Sequence, residues 1–291
     1  MNGVIEPGRI CRRDGRKPHE LPMQRRTSIL NAGMPHYTGI SFIDYQTGAT
    51  VELTDFDTLT FDCYGTLIDW ETGIFEGLRP LLERVEPALT RDQVLEAHAR
   101  HESSQQKYTP AKRYQELLAI VYKRLAEEWG VSHTHEDCVA YGRSIRNWPA
   151  FGDSANALQY LKKHYKLVIL SNVDNESFTY SNAKLQVEFD AIITAEDVGS
   201  YKPSPRNFEY MIGKLGERGI RKEKILHTAE SLFHDHKPAN EFGMSSCWIY
   251  RRHSQPGFGA TMDPGAQPKI DFRFDSMADF VKAHQETLAK R

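Results

Sequence analysis

TFDCYGTLIDW, running from Thr60 to Trp70, is the stretch from which the rest of the chain is read. The run TLTF that begins at Thr58 has the β-branched and aromatic content of a buried strand, and it ends on a carboxylate, Asp62, just ahead of a turn-forming Gly65. An acid on a tight strand-to-loop turn, where glycine takes conformations barred to other residues, is presented as a nucleophile or as a turn and helix cap. The residue two places on is Tyr64, at a position where a metal-dependent enzyme would carry a second acid.

Working outward, four more short apolar runs follow, KLVILSN, DAIITAE, EKILHTA and SSCWIYR, each bounded by polar or turn residues. Helical patterns separate them, with ALQYLKKHY before KLVILSN and PRNFEYMIGKLGERG before EKILHTA. Strands alternating with helices predict an α/β fold, a doubly wound, Rossmann-like parallel sheet with helices on both faces. The interval between Tyr64 and Lys166 carries no strand signal. It reads as the helices GIFEGLRPLLERV, TRDQVLEAHARHESSQQ, PAKRYQELLAIVYKRLAEEWG and HEDCVAYGRSIRNW, in which Leu117, Leu118, Val121 and Leu125 form one apolar stripe of a bundle core. The organisation expected is an extension over 1–54, an α/β core over 55–72 and 149–291, and a helical cap over 73–148 lying above the carboxyl ends of the strands. The extension, rich in Arg, Gly and Pro and without sustained periodicity, reads as a mobile tail or an organelle-targeting peptide; Glu6, Asp14 and Glu20 argue against the latter.

With 40% hydrophobic and 26% charged residues in a chain of 291, the composition is that of a globular protein able to build its own core. A formal net charge of -2 excludes nucleic acid or an anionic membrane as the main partner and leaves a small molecule. Cys11, Cys63, Cys138 and Cys247 are too scattered for a zinc ribbon or a CxxC pair, so they are expected to be reduced thiols in a cytoplasmic protein. No apolar run approaches the roughly 18 residues needed to cross a bilayer. Tyr108, Tyr114 and Trp129 offer the helical interval a homodimer face.

Open α/β sheets bind their ligands beyond the carboxyl ends of the strands, so the residues that follow each run should converge. These are Asp62 to Thr66, then Ser171 and Asn172, then Lys202 in GSYKPSP, then Glu230, Ser231 and Asp235. The Thr66 hydroxyl and the loop amides around Cys63 and Tyr64 are suited to steady an attacking carboxylate or the oxyanion of its ester. Ser171 and Asn172 are neutral donors for a substrate carboxylate or for Asp62, although SNVDN is also a good helix N-cap. A cation at Lys202 keeps a neighbouring nucleophile ionised. Asp235 holds Lys202 or polarises a hydrolytic water, or else caps the helix of PANEFG.

Taken in order, FDCYGTLID, ILSN, YKP and AESLFHD resemble the four motifs of the haloacid dehalogenase (HAD) superfamily, over roughly Asp57 to Arg252. The resemblance implies an aspartate nucleophile under a helical cap. In the phosphatases of that superfamily the residue two after the nucleophile is a second Asp, which serves as acid and base toward the leaving oxygen and helps position magnesium. A phenol with an ordinary pKa of about 10 is a poor substitute for that proton transfer. The form FDxYGT is instead similar to that of the L-2-haloacid dehalogenases, whose halide leaves without a proton. What this implies is hydrolysis of a short 2-haloalkanoate to the inverted 2-hydroxy acid through an ester on Asp62, with no metal or other cofactor. Tyr64, Ser171 and Asn172 would surround the substrate, and a cap arginine, for which Arg100 is the nearest candidate, would meet the halogen. Phe208 stands where the family carries a substrate-contacting tyrosine, and Ser231 stands for an asparagine. The spacing of Glu230 and Asp235 resembles a magnesium-binding acid pair, so Asp62, Glu230 and Asp235 keep a magnesium-dependent phosphatase open. Opening of a small cyclic amino acid and metabolite binding without turnover are the remaining alternatives.

Overall fold

Leu167 and Ile169 join the larger of two apolar clusters, while Val168 and Leu170 join a second one with Phe208, Met211 and Leu215. Successive strand residues point to opposite faces, so a run that is apolar at every position requires cover on both sides. The computed structural model supplies that cover; it describes residues 41–43 and 50–291, which fall in a single compact unit.

A short antiparallel pair comes first, β1 (Ser41–Ile43) with β2 (Thr50–Glu52). Next come β3 (Thr58–Phe61) and four helices, α1 (Trp70–Leu82), α2 (Arg91–Tyr108), α3 (Tyr114–Glu128) and α4 (His135–Arg143). The alternating part contains α5 (Ser154–Leu161), β4 (Lys166–Ser171), α6 (Asn175–Leu185), β5 (Ala191–Thr194), α7 (Ala195–Val198) and α8 (Pro205–Glu217). It ends with β6 (Ile225–Ala229), α9 (Lys237–Glu241), β7 (Ser245–Ile249), β8 (Phe272–Phe274) and α10 (Met277–Ala289). The main sheet has six strands in the order β5-β4-β3-β6-β7-β8, all parallel. This is the doubly wound α/β architecture. The chain winds outward from β3 through β4 to β5, then crosses to β6 on the other side, so the switch point that favours ligand binding lies at the end of β3.

Most of the expected extension lies outside the described residues. Its last part is ordered, because β2 pairs with β1 and Leu53 is fully buried in the larger cluster. The helical interval starts at Trp70, capped by Asp69, whose side chain accepts from Thr72 N at 3.1 Å. The stripe Leu117, Leu118, Val121 and Leu125 is fully buried on α3, each side chain contributing roughly 1.5–3 kcal/mol of transfer free energy. Trp148 packs across the first turn of α1, where a Cβ on Gly73 would stand 2.2 Å from the indole, so only glycine fits. Among the described residues, no helix is long and apolar enough to cross a membrane, and Cys63, Cys138 and Cys247 are buried free thiols; Cys11 lies outside them. Of the three aromatics read as a dimer face, Tyr114 is buried and Trp129 is packed against the core, leaving Tyr108 exposed at 76%.

Candidate active site

Asp62 continues β3 by one hydrogen bond, from its N–H to Thr228 O at 3.1 Å, before the chain turns. Cys63 O then accepts from both Leu67 N (2.8 Å) and Ile68 N (2.9 Å), and Gly65 N donates to Ile68 O (2.8 Å). Gly65 has φ +96°, and a Cβ there would stand 2.9 Å from Trp70 Nε1. That conformation favours glycine, and it folds the loop tightly enough to bring the Thr66 hydroxyl back onto Asp62.

The hydrogen bonds around Asp62 form one buried chain. Thr66 Oγ1 accepts from Glu230 N (2.8 Å), which directs its own proton to Asp62 Oδ2 (2.8 Å). Lys202 Nζ donates to Asp62 Oδ1 (2.9 Å), Asp235 Oδ1 (2.6 Å) and Leu170 O (2.8 Å), which uses all three of its protons. His227 Nε2 lies 3.0 Å from Asp235 Oδ1, and its Nδ1 lies 2.8 Å from Thr60 Oγ1. Asn172 fixes the backbone of Lys202 from both sides, accepting from its N–H (2.7 Å) and donating to its carbonyl (3.0 Å). Burial alone would push the Lys202 ammonium down, but Asp235 and Asp62 hold it above its ordinary range. Burial would likewise raise Asp235, yet Lys202 and His227 keep its carboxyl well below the usual carboxylate range. Asp62, which shares the same single cation, is raised by burial and by the charge of Asp235.

Tyr64 is no substitute for an acid at this site. Its hydroxyl is hydrogen-bonded to Ser181 Oγ at 2.7 Å, its ring packs edge-on against Trp148, and burial pushes its phenol well above the ordinary range. Asp62, Tyr64, Asn172, Lys202, Ser231, His234 and Asp235 line one cavity from the core side, and Trp70, Glu102, Gln106 and Tyr114 line it from the helical interval. The free space in this partly open cavity is about 30 Å³, room for about one or two water molecules.

Two residues expected at the substrate are elsewhere. Arg100 projects to the surface, 55% exposed, where its guanidinium pairs with Glu128 at 2.9 and 3.0 Å. Positions two apart on a helix point in nearly opposite directions, so the phase of α2 that turns Glu102 and Gln106 into the cavity turns Arg100 out. Phe208 is fully buried in the second apolar cluster, its ring 5.1 Å from His227 and 6.0 Å from Phe242, because the face of α8 that carries it packs onto the sheet with Met211 and Leu215. Ser171 is nearly fully buried and its Oγ has no hydrogen-bond partner. Ser231 lies at the crevice, its Oγ accepting from His234 N (3.0 Å) and standing 2.9 Å from Thr261 Oγ1.

The magnesium set weighed in the sequence is not assembled. Among the described residues, no group of three or more His, Cys, Asp or Glu side chains is arranged to hold a metal ion. The Lys202 ammonium bridges Asp62 and Asp235, and Glu230 lines a separate cavity of about 130 Å³ with Glu71 and Arg252. There, burial first and the charge of Glu71 second push the Glu230 carboxyl up to about 8.

A family model described as haloacid dehalogenase-like hydrolase matches residues 56–228 of the chain. The chain belongs to the haloacid dehalogenase-like hydrolases. Among relatives, it is 30% identical over 199 residues to an (S)-2-haloacid dehalogenase of Pseudomonas sp. (strain YL), covering 66% of this chain and 82% of that one. It is 27% identical over 144 residues to the rhythmically expressed gene 2 protein of Drosophila melanogaster, 46% of this chain and 53% of that one. The chain thus spans about half the length of the latter relative. A solved L-2-haloacid dehalogenase is similar in fold, with a TM-score of 0.64 at 19% identity over 81% of this chain and 100% of the other.

In this haloacid dehalogenase-like hydrolase the cavity residues to which sequence reading gave no role are Trp70, Glu102, Gln106 and His234, with His227 behind them, while Tyr114 was read as part of a dimer face. A signal for some of them was present. On α2 the apolar positions Val94 and Leu95 are continued at helical spacing by His98, Glu102 and Gln106, all buried, and a polar stripe on the inward face of a helix marks a crevice wall.

Proposed function

We propose that this haloacid dehalogenase-like hydrolase is a metal-independent (S)-2-haloacid dehalogenase that converts a short 2-haloalkanoate to the inverted 2-hydroxy acid. The observation that carries the reading is the pairing of Asp62 with Lys202 beside a Tyr64 whose phenol is committed to Ser181. The helical interval acts as the cap, and it must move to admit substrate, because the crevice as it stands has only about 30 Å³ of free space. Asp62 attacks the halogen-bearing carbon in line, forming an ester and releasing halide; water then attacks the carboxyl carbon of that ester. Lys202 keeps Asp62 ionised before attack and offsets the oxyanion during hydrolysis. Asp235 Oδ2, buried without a partner, accepts a hydrogen bond from the hydrolytic water. The second N–H of Asn172 and the Ser171 hydroxyl are the neutral donors left for the substrate carboxylate, since Thr66 is fully used on Asp62 and Glu230.

The identity of the (S)-2-haloacid dehalogenase relative supports this reading. The test is halide release from L-2-chloropropionate in the presence of EDTA, with Asp62→Asn as the control. Release well above that control, unaffected by EDTA, is expected. A wild-type rate no greater than the control, or magnesium-stimulated turnover of p-nitrophenyl phosphate in its place, would overturn the assignment.

A further inference from the structure

After β6 the chain does not enter an ordinary helical turn. Ser231 O accepts from both Asp235 N and His236 N, each at 3.2 Å, so Leu232–His236 closes as a π-turn, one residue wider than an α-turn. Such turns recur at functional sites. Here two neighbours in sequence, His234 and Asp235, both line the cavity with Asp62 and Lys202. The imidazole is fixed at one end. Its Nδ1 stands 3.1 Å from Ser231 Oγ and 3.4 Å from Thr261 Oγ1, those two hydroxyls are 2.9 Å apart, and Phe233 packs edge-on against the ring with centroids 4.9 Å apart. At the other end Nε2 is buried and has no hydrogen-bond partner. Asp235 Oδ2 is in the same condition, whereas Asp235 Oδ1 is taken by Lys202 and His227.

We propose that His234 Nε2 is the base of the hydrolytic half-reaction, taking a proton from the water that Asp235 Oδ2 orients toward the ester on Asp62. This rests on the ester mechanism of the dehalogenase reading. In the assigned tautomer Nδ1–H donates to Ser231 Oγ, which also accepts from His234 N and passes its own proton to Thr261 Oγ1. The serine then uses its full hydrogen-bonding capacity, and Nε2 is left as a bare acceptor. Burial, aided by Lys202 and opposed by Asp235, pushes the His234 ring down to about 4, so the ring is neutral and free to take a proton at neutral pH. Although burial would raise Asp235, Lys202 and His227 hold it well below the usual carboxylate range, which makes the imidazole the better base of the two. As the water oxygen bonds to Asp62 Cγ, one water proton moves to His234 Nε2, and the tetrahedral oxyanion is faced by Lys202. The bond from Cγ to the substrate oxygen then breaks with its electron pair on that oxygen, which takes the proton from Nε2 and leaves as the 2-hydroxy acid. Asp62 loses the remaining proton to solvent and is regained as a carboxylate, and His234 ends neutral. The alkylation step, in which halide departs, does not involve His234.

The experiment follows chloride release from L-2-chloropropionate by rapid quench, with mass spectrometry of the peptide spanning Asp62, for wild type, His234→Gln and His234→Ala. Each variant should release a burst of chloride equal to its active sites at the wild-type rate. Steady turnover per burst site should then fall by about a hundredfold or more, and the Asp62 peptide should carry the propionate ester. The burst counts competent sites, so partial misfolding is corrected for, and His234→Gln serves if His234→Ala does not fold. An ester that accumulates while its formation is unslowed is not what a merely structural defect produces. A smaller loss of turnover, or loss of the burst together with turnover, overturns the role of His234 and leaves the dehalogenase reading intact. Absence of chloride release from wild type overturns both.

Discussion

Replacing Lys202 by methionine tests the electrostatic logic of the site in a single experiment. The ammonium is 1% exposed and hydrogen-bonds two carboxylates and one carbonyl, at 2.9, 2.6 and 2.8 Å. Methionine keeps much of the volume and removes the charge. Asp62 and Asp235 are then left buried together without a cation, a loss of the kind that costs about 3–5 kcal/mol when one partner of a buried pair is removed. In wild type, against the upward push of burial, Lys202 and His227 hold Asp235 below the usual carboxylate range. Its contribution to stability is therefore present above the unfolded carboxylate pKa of about 4 and is lost as pH falls through its lower folded value. Lys202 is raised, so its contribution is lost only as pH climbs through a folded value above the ordinary lysine pKa of about 10.4. Urea unfolding at pH 7 should show Lys202→Met destabilised by about 3–5 kcal/mol. In the variant both carboxyls titrate upward, so the deficit should shrink as pH drops from 7 to 5, and adding Asp235→Asn to Lys202→Met should recover part of it. A deficit below about 1 kcal/mol, or one that does not change with pH, would refute the reasoning.

Tyr64→Phe removes a hydroxyl whose partner is Ser181, so unfolding free energy should fall by about 1 kcal/mol while halide release stays within a few fold of wild type; a thousandfold loss would make the phenol catalytic. Arg100→Ala breaks a surface pair with Glu128, and both stability (a change below about 1 kcal/mol) and halide release should be nearly unaffected, as read by urea titration and a chloride assay. Glu230 is pushed up to about 8 by burial and then by Glu71, so its contribution is fully present below the unfolded pKa of about 4.3 and is lost as pH rises through 8. Glu230→Gln should therefore gain on the order of 3 kcal/mol relative to wild type between pH 5 and pH 8, measured by urea unfolding at the two values.

Five of the six strands of the main sheet were legible because each is a run apolar at successive positions, bounded by polar residues, as in Leu167 to Leu170. β8 was not. It is three residues long, Phe272–Phe274, and its place is fixed by pairing with β7 and by packing of Phe272 onto Phe56, contacts with no local signature. The hairpin of β1 and β2 was missed for the same reason of length.

At the site, Asp62, Asn172, Lys202 and Asp235 converge as expected of residues at the carboxyl ends of parallel strands, a consequence of topology that sequence order alone conveys. Positions on helices depended on phase. A reading that slid α2 by two residues put Arg100 where Glu102 is, and the face of α8 that carries Phe208 was settled by its packing onto the sheet and His227. His227 escaped notice because it reads as one residue of a buried strand, and its bond to Asp235 joins β6 to the one-turn helix Leu232–His236 after it.

The most direct measurement of the ester mechanism is the fate of solvent oxygen. Turnover of a 2-haloalkanoate in heavy-oxygen water, followed by mass spectrometry of the peptide spanning Asp62, should find label in the Asp62 carboxylate after many turnovers. The 2-hydroxy acid from a single turnover with excess enzyme should carry unlabelled oxygen taken from Asp62. Label in the product hydroxyl from that first turnover, with none in Asp62 after many, would show that water attacks the substrate directly and would contradict an aspartyl ester.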